Sequence, residues 1–409
     1  MTTTKNNEHK KLNVPNKREQ NQTCLDSTER EGLRPKGNVP NLRFPEFQGE
    51  WISKTIGDIA PLQRGFDLPT GKICNGKIPV VYSNGIMNHH SSYKCVAPGL
   101  VTGRSGTIGK FTYIEDGYYW PHNTSLWVTD FHDNNPKFIY YLYQTIHIEQ
   151  YSTGSGVPTL NRNNVHRHKT FIPKLKEQNK IAAFLSLLDE RIATQSKIIE
   201  DLKKLESAII ENVFDDKHSE RLQLDNVGSY IRGLTYSSND VVEHGGTLVM
   251  RSNNIVNGSL LDYNNNVVFV NKQMSAEQQL QNGDIVICMA NGSSSLVGKS
   301  SFYDGNCHSP ITVGAFCGIY RSKEPIVKWL FQTNKYRRYI WNSLQGGNGA
   351  IANLNGEDIL NMSFSIPNAT IKDTCVKMLT SMDSALENNM LLCTLYTLQK
   401  QYLLRQMFI

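Results

Sequence analysis

Along the chain the hydrophobic pattern alternates between two periods. From Val39 to about Pro173, apolar residues come in short β-type runs divided by turn residues: Ile78–Tyr82, Gly99–Gly103, Lys110–Ile114 and Ser125–Val128. One helix interrupts them. Asp133 offers its cap, Pro136 suits its first turn, and Phe138 to Ile146 carry its apolar positions. Residues 177–214 then contain no Gly or Pro, and apolar residues fall on two seven-residue ladders. One is Ile181, Leu188, Gln195, Leu202, Ile209; the other is Leu185, Ile192, Ile199, Glu206, Val213. Eight of these ten rungs are apolar, which predicts a long helix with a coiled-coil seam. Thirty-eight residues at about 1.5 Å each span about 57 Å, too long to lie across one small domain.

The whole pattern then repeats. Gln63-Arg64-Gly65-Phe66 returns as Ile231-Arg232-Gly233-Leu234, and Val81-Tyr82-Ser83-Asn84 as Met250-Arg251-Ser252-Asn253. Ile108-Gly109-Lys110 returns as Val297-Gly298-Lys299, Leu160-Asn161 as Leu354-Asn355, and Ile172-Pro173 as Ile366-Pro367. The helix returns as the ladders Cys375, Met382, Asn389, Tyr396, Leu403 and Leu379, Leu386, Cys393, Lys400, Met407. Even the polar rungs recur, Asn389 for Gln195 and Lys400 for Glu206. The expected seam is Ile181, Leu185, Leu188, Ile192, Gln195, Ile199 and Leu202 against Met382, Leu386, Asn389, Tyr396 and Leu403. The expected fold class is α+β. Two β-rich domains, residues 41–175 and 218–368, are separated by long helices at 176–217 and 369–409, after a polar tail at 1–40. The second helix has no other apolar surface to cover, so the expected packing is antiparallel against the first. That gives a dumbbell with a pseudo-twofold axis and a Gln195–Asn389 polar pair near the helix centres.

Composition narrows the class. Lys plus Arg is 43 against 37 for Asp plus Glu, a net +6 that permits a polyanionic partner without demanding one. The longest dense apolar run, Ile285–Ala290, has strand length, and Met1–Lys11 is polar, so neither a membrane helix nor a secretory leader is expected. Eight cysteines without a Cys-x-x-Cys pair read as reduced thiols of a cytoplasmic protein.

Catalytic motifs fail on inspection. Asn291 to Ser300 imitates a phosphate loop, but five residues rather than four separate Gly292 from Gly298-Lys299-Ser300. Asn135-Pro136-Lys137-Phe138 resembles the Asn-Pro-Pro-Phe of amino-methyltransferases, yet helix initiation explains both it and its counterpart Glu324-Pro325. The eleven His lack metal-ligand spacing, and no metal site is expected. What remains is readout chemistry. Asn and Arg read base edges bidentately, while Lys and Arg hold phosphates. In the first copy the candidates are Arg64, Ser83, Asn84, Arg104, Lys110 and Arg162. In the second they are Arg232, Arg251, Asn253, Asn254, Asn291, Lys299 and Asn348. Any single Asn is more often a turn residue than a reader; matched placement in two copies lifts the set.

Two stretches carry a family resemblance: Asn41-Leu42-Arg43-Phe44-Pro45-Glu46-Phe47 through Trp51, and Ile172-Pro173 through Glu177-Gln178, Lys180-Ile181-Ala182 and Leu188-Asp189 to Ile192. With the duplication, they resemble the specificity subunit of type I restriction–modification enzymes. The resemblance implies two target-recognition domains reading the halves of a split double-stranded DNA sequence, and an antiparallel coiled coil docking two modification subunits. It places S-adenosylmethionine on those subunits and ATP with Mg on restriction subunits, and it assigns no cofactor, catalytic residue or membrane contact to this chain. The second copy departs from the pattern, with Ile371-Lys372-Asp373-Thr374 where the first has Glu177-Gln178-Asn179-Lys180. The alternatives are a DNA-processing enzyme with its own nuclease or methyltransferase site, and a protein-only scaffold.

Overall fold

The structure, a computed structural model, describes residues 37–409 apart from 155–157, 216, 218–219 and 346–351. The fold is α+β. The chain divides into two compact units, one holding the described residues up to Ser196 with Leu391–Ile409, the other Lys197–Met390. The division falls within both long helices, because each half-helix packs on a different β-rich body.

In the first unit, Ile52–Thr55 pairs antiparallel with Lys169–Ile172, Ile52 opposite Ile172. One four-stranded sheet runs Leu62–Arg64, Ser125–Val128, Gly99–Gly103, Phe111–Ile114, all antiparallel. A second runs Gly85–His90, Ile78–Tyr82, Tyr118–Pro121, Cys95–Val96, with its central pair parallel. The helix Pro136–Thr145 buries Phe138, Ile139, Tyr141, Leu142 and Tyr143 in the core. Its cap is Asn135 rather than Asp133: the Asn135 side chain accepts from Phe138 N at 2.9 Å, and Gln178 Oε1 accepts from Asn135 N at 2.9 Å.

The second unit repeats this plan. Glu220–Gln223 pairs antiparallel with Ser363–Ile366. A five-stranded sheet runs Gly228–Arg232, Cys317–Ser322, Ile285–Cys288, Ser300–Phe302, Ser259–Leu260. A four-stranded sheet runs Val241–Val242, Val268–Val270, Thr247–Met250, Ile311–Val313, and again one pair, Thr247–Met250 with Ile311–Val313, is parallel. Ile285–Cys288 is a central strand buried at every residue, which explains its unbroken apolar run.

The long helices are Leu175–Val213 and Ala369–Met407, 39 residues each. Within the first unit, Ile181, Ala182, Leu185 and Leu188 share a core with Leu403, Met407 and Phe408. Asp189 meets Lys400, Arg191 meets Tyr396 and Ser196 meets Cys393, so rising positions on one helix meet falling positions on the other. The halves are antiparallel. In the second unit Ile210 and Val213 share a core with Cys375 and Leu379. Of the remaining seam positions Gln195 and Leu386 are buried, while Ile192, Ile199, Leu202, Met382 and Asn389 are half-buried.

Candidate nucleic-acid interface

In the first unit the sheet register gathers loops that are far apart in sequence. A parallel bridge sets Phe66 beside His122. Arg64 donates to Asp67 Oδ1 at 3.1 Å, and the Asn123 amide donates to the same oxygen. The Tyr82 and His122 rings pack at a tilt of 33° with centroids 4.2 Å apart. His122 Nδ1 lies 3.0 Å from Thr124 Oγ1, and the Thr124 carbonyl accepts from Arg104 N at 2.9 Å. Burial is the main cause holding the His122 imidazole below its ordinary pKa, with the Leu68 backbone and Asp67 opposing. The imidazole is therefore neutral near pH 7. Lys110 Nζ donates to the Asn84 carbonyl at 2.9 Å, closing the turn that carries Ser83.

Arg64, Ser83, Asn84, Arg104 and Lys110 thus surround one end of the paired sheets. Arg162 is exposed on the short helix Arg162–His166, two residues beyond Leu160, whose amide donates to the Arg104 carbonyl at 2.7 Å.

The second unit reproduces the backbone of this arrangement bond for bond. Phe66 N donates to Pro121 O, and Leu234 N to Val313 O. Gly65 N donates to Ser125 O, and Gly233 N to Cys317 O. His122 N reaches Val81 O as Gly314 N reaches Met250 O, and Ser125 N reaches His122 O as Cys317 N reaches Gly314 O. Arg104 N reaches Thr124 O as Met289 N reaches Phe316 O, and Leu160 N reaches Arg104 O as Leu354 N reaches Met289 O. Six matched bonds make the two sites one scaffold.

Side chains on the second copy differ. Arg232 is exposed beside Gly233, as Arg64 is beside Gly65. Arg251, the counterpart of Tyr82, is half-buried, with Nη2 donating to Asn266 O at 3.1 Å. Asn253 is exposed, and Asn291 donates to Ser252 Oγ at 3.3 Å. Lys299 lines a cavity of about 410 Å³ with Trp341 and Arg337.

Two expectations change, and a third lies untested. Asn254 is fully buried: its side chain accepts from Arg251 N and donates to the carbonyls of Asp262 and Asn265, at 2.9, 3.0 and 2.7 Å. It braces a turn. Arg104 has Met289, not a basic residue, as its backbone counterpart. Asn348 lies outside the described residues. Sequence reasoning missed Asp67, His122, Asn123 and Phe316. No local motif marks them, since register alone brings Asp67 to Asn123.

The decoys resolve locally. The stretch after Asn291 reaches the strand Ser300–Phe302 through one short turn, Ser294–Leu296, so Lys299 precedes a strand and not a helix. Asn135-Pro136 is a helix cap. Among the described residues no group of three or more His, Cys, Asp or Glu is placed to hold a metal ion, and no helix is long and apolar enough to cross a membrane.

Residues 48–204 match the family model of the type I restriction modification DNA specificity domain. Two curated relatives are similar over part of their length. The EcoKI specificity subunit of Escherichia coli K12 is 34% identical over 155 residues, 36% of this chain and 31% of that one. The StySPI specificity subunit of Salmonella potsdam is 33% identical over 153 residues, 36% and 31% respectively. The match thus spans 31% of the length of each of these relatives. A crystal structure of a type I restriction–modification S subunit from M. genitalium shares the fold, with TM-score 0.60 and 16% identity, covering 91% of this chain and 99% of that one. Over residues 48–204 the chain is similar to this DNA specificity domain family. As a whole its fold resembles that of the M. genitalium S subunit.

Proposed function

We propose that this chain is the DNA-reading subunit of a type I restriction–modification complex. Each β-rich body reads one half of a split target, and the long helices dock two modification subunits. The observation that carries the reading is the pair of six-bond scaffolds, each holding an exposed arginine, Arg64 or Arg232, beside loops rich in amides and hydroxyls. Such groups position phosphates and read base edges. In this reading the chain catalyses nothing and works in the cytoplasm. S-adenosylmethionine binds the modification subunits, while ATP and Mg serve the restriction subunits.

The test is a segment exchange. Residues 218–368 are replaced by the matching segment of a relative, and methylated adenines are mapped in cells carrying the assembled system. One half of the methylated sequence should change while the other stays. Changes in both halves, or in neither, would defeat one-domain-one-half reading. Calorimetry on the purified chain should show no binding of S-adenosylmethionine or ATP; micromolar binding of either would restore the enzyme alternative.

A further inference from the structure

The two scaffolds are alike in backbone and unlike in the side chains they present, and the difference concentrates in one strip. The strip follows the parallel bridge: His122-Asn123-Thr124 in the first unit and Gly314-Ala315-Phe316 in the second. Beside it stand Asp67 in the first unit and Thr235 in the second, each one residue beyond the bridged Phe66 or Leu234.

In the first unit the strip is a hydrogen-bonding surface. Asp67 takes one N–H from Arg64 and one from Asn123, fixing both. Asn123 keeps its carbonyl oxygen and a second N–H, and Arg64 keeps further donors. His122, packed against the Tyr82 ring, walls one side.

In the second unit the strip itself carries no polar side chain. Gly314 and Ala315 offer no side-chain donor or acceptor, and Phe316 is 67% exposed. Its backbone is clamped, since its carbonyl accepts from Met289 N and Ala290 N at 2.9 and 3.1 Å. A lone exposed aromatic is ordinarily unremarkable. This one is held on a rigid backbone at the position where the other unit carries a polar network.

We infer that this strip sets the base preference of each unit, Asn123 with Arg64 reading hydrogen-bonding base edges and Phe316 making apolar contact with a thymine methyl group. Asn and Arg pair bidentately with purine edges, and Phe contacts the thymine methyl. The inference rests on the DNA-reading function proposed above and adds the residues that distinguish the half-sites.

The experiment selects sequences bound by the full-length chain from a randomised double-stranded DNA library. Wild type, Asn123→Ala, Phe316→Ala and Phe316→Leu are compared. Asn123→Ala should relax one or two adjacent positions in one half of the motif, by roughly 5- to 150-fold in discrimination. Phe316→Ala should relax a thymine in the other half, and Phe316→Leu should retain part of that preference. Unchanged melting temperatures are expected, since neither side chain fills a core. Variants that select the wild-type motif at wild-type strength, or that both alter the same half, overturn the inference alone. A wild-type chain that selects no motif overturns the DNA-reading function, and the inference with it.

Discussion

Arg43 and Glu177 form a bidentate ion pair, with Nε and Nη2 2.7 and 2.8 Å from the two carboxylate oxygens. Trp51 Nε1 donates to the same carboxylate at 3.2 Å. The pair ties the opening segment to the start of the first long helix, 134 residues later. These are the two stretches that carry the family resemblance, so the motif is a structural joint. In the second copy Ile371 replaces the acid, and Lys372 donates instead to Glu324 at 3.1 Å. Glu324 is the counterpart of Asn135, which Gln178 holds in the first copy. One polar clasp has been exchanged for another.

Glu177 is 3% exposed, and removing it takes the carboxylate from the half-buried Arg43 guanidinium, which keeps only its bonds to the Gly49 and Gln48 carbonyls. Glu177→Ala should destabilise the protein by about 1.5–3 kcal/mol. Urea denaturation measures this, and a loss under about 1 kcal/mol would mean that solvent replaces the carboxylate.

The shared scaffold predicts paired glycine effects. A Cβ on Gly65 would lie 2.2 Å from His122 O, and one on Gly233 would lie 2.2 Å from Gly314 O. Backbone cannot yield as a flexible side chain can. Gly65→Ala and Gly233→Ala should each cost about 1–3 kcal/mol by thermal denaturation. Gly71→Ala meets nothing within 4 Å and should be neutral or slightly stabilising.

The recurring polar rungs of the two helices differ in charge. Lys400 pairs with Asp189, whereas its counterpart Glu206 meets Asp383, which also holds Lys328 Nζ at 2.6 Å. Burial first, then the hydrogen bond and charge of Asp383, push Glu206 up to about 8, with Lys328 and Lys203 opposing. Its ordinary value is 4.5. Below that value the group is protonated in both folded and unfolded chains and adds no pH dependence. As pH rises from there to about 8 the unfolded chain ionises while the folded one keeps its proton, so stability falls; above about 8 the loss levels off. Glu206 is half exposed, so the loss is discounted to about 1–2 kcal/mol. Glu206→Gln should therefore gain on wild type between pH 5 and 8, roughly the window between the two pKa values. Parallel stability curves across that range would refute it.

The helices were legible because a seven-residue ladder survives packing: the rungs Ile181, Leu185 and Leu188 are buried as spaced. The Lys400 rung reads as a flaw in sequence, yet an acid on the facing helix satisfies it. The candidate site was half legible. Arg64 and Arg232 stand out because their neighbouring glycines recur, and close backbone approach needs both. Asn254 misled because an amide in a turn looks the same whether it faces inward or outward. Asp67 and Asn123, 56 residues apart, become neighbours only through strand register, which no local pattern encodes.

The last prediction separates grip from reading. Arg104 is half-buried, its amide and carbonyl fixed by Thr124 and Leu160, and Met289 at the matching place shows that the scaffold does not require its charge. A guanidinium so placed suits a phosphate. Arg104→Ala should weaken binding about equally for all sequences and reduce the slope of log affinity against log salt by about 1. Arg64, held by Asp67 beside Asn123, should behave otherwise. Arg64→Ala should cost about 1–3 kcal/mol at one base position of one half-site. Titrating duplexes with single base changes at several salt concentrations distinguishes the two. A position-specific loss for Arg104→Ala, with no change in salt slope, would place Arg104 among the base readers instead.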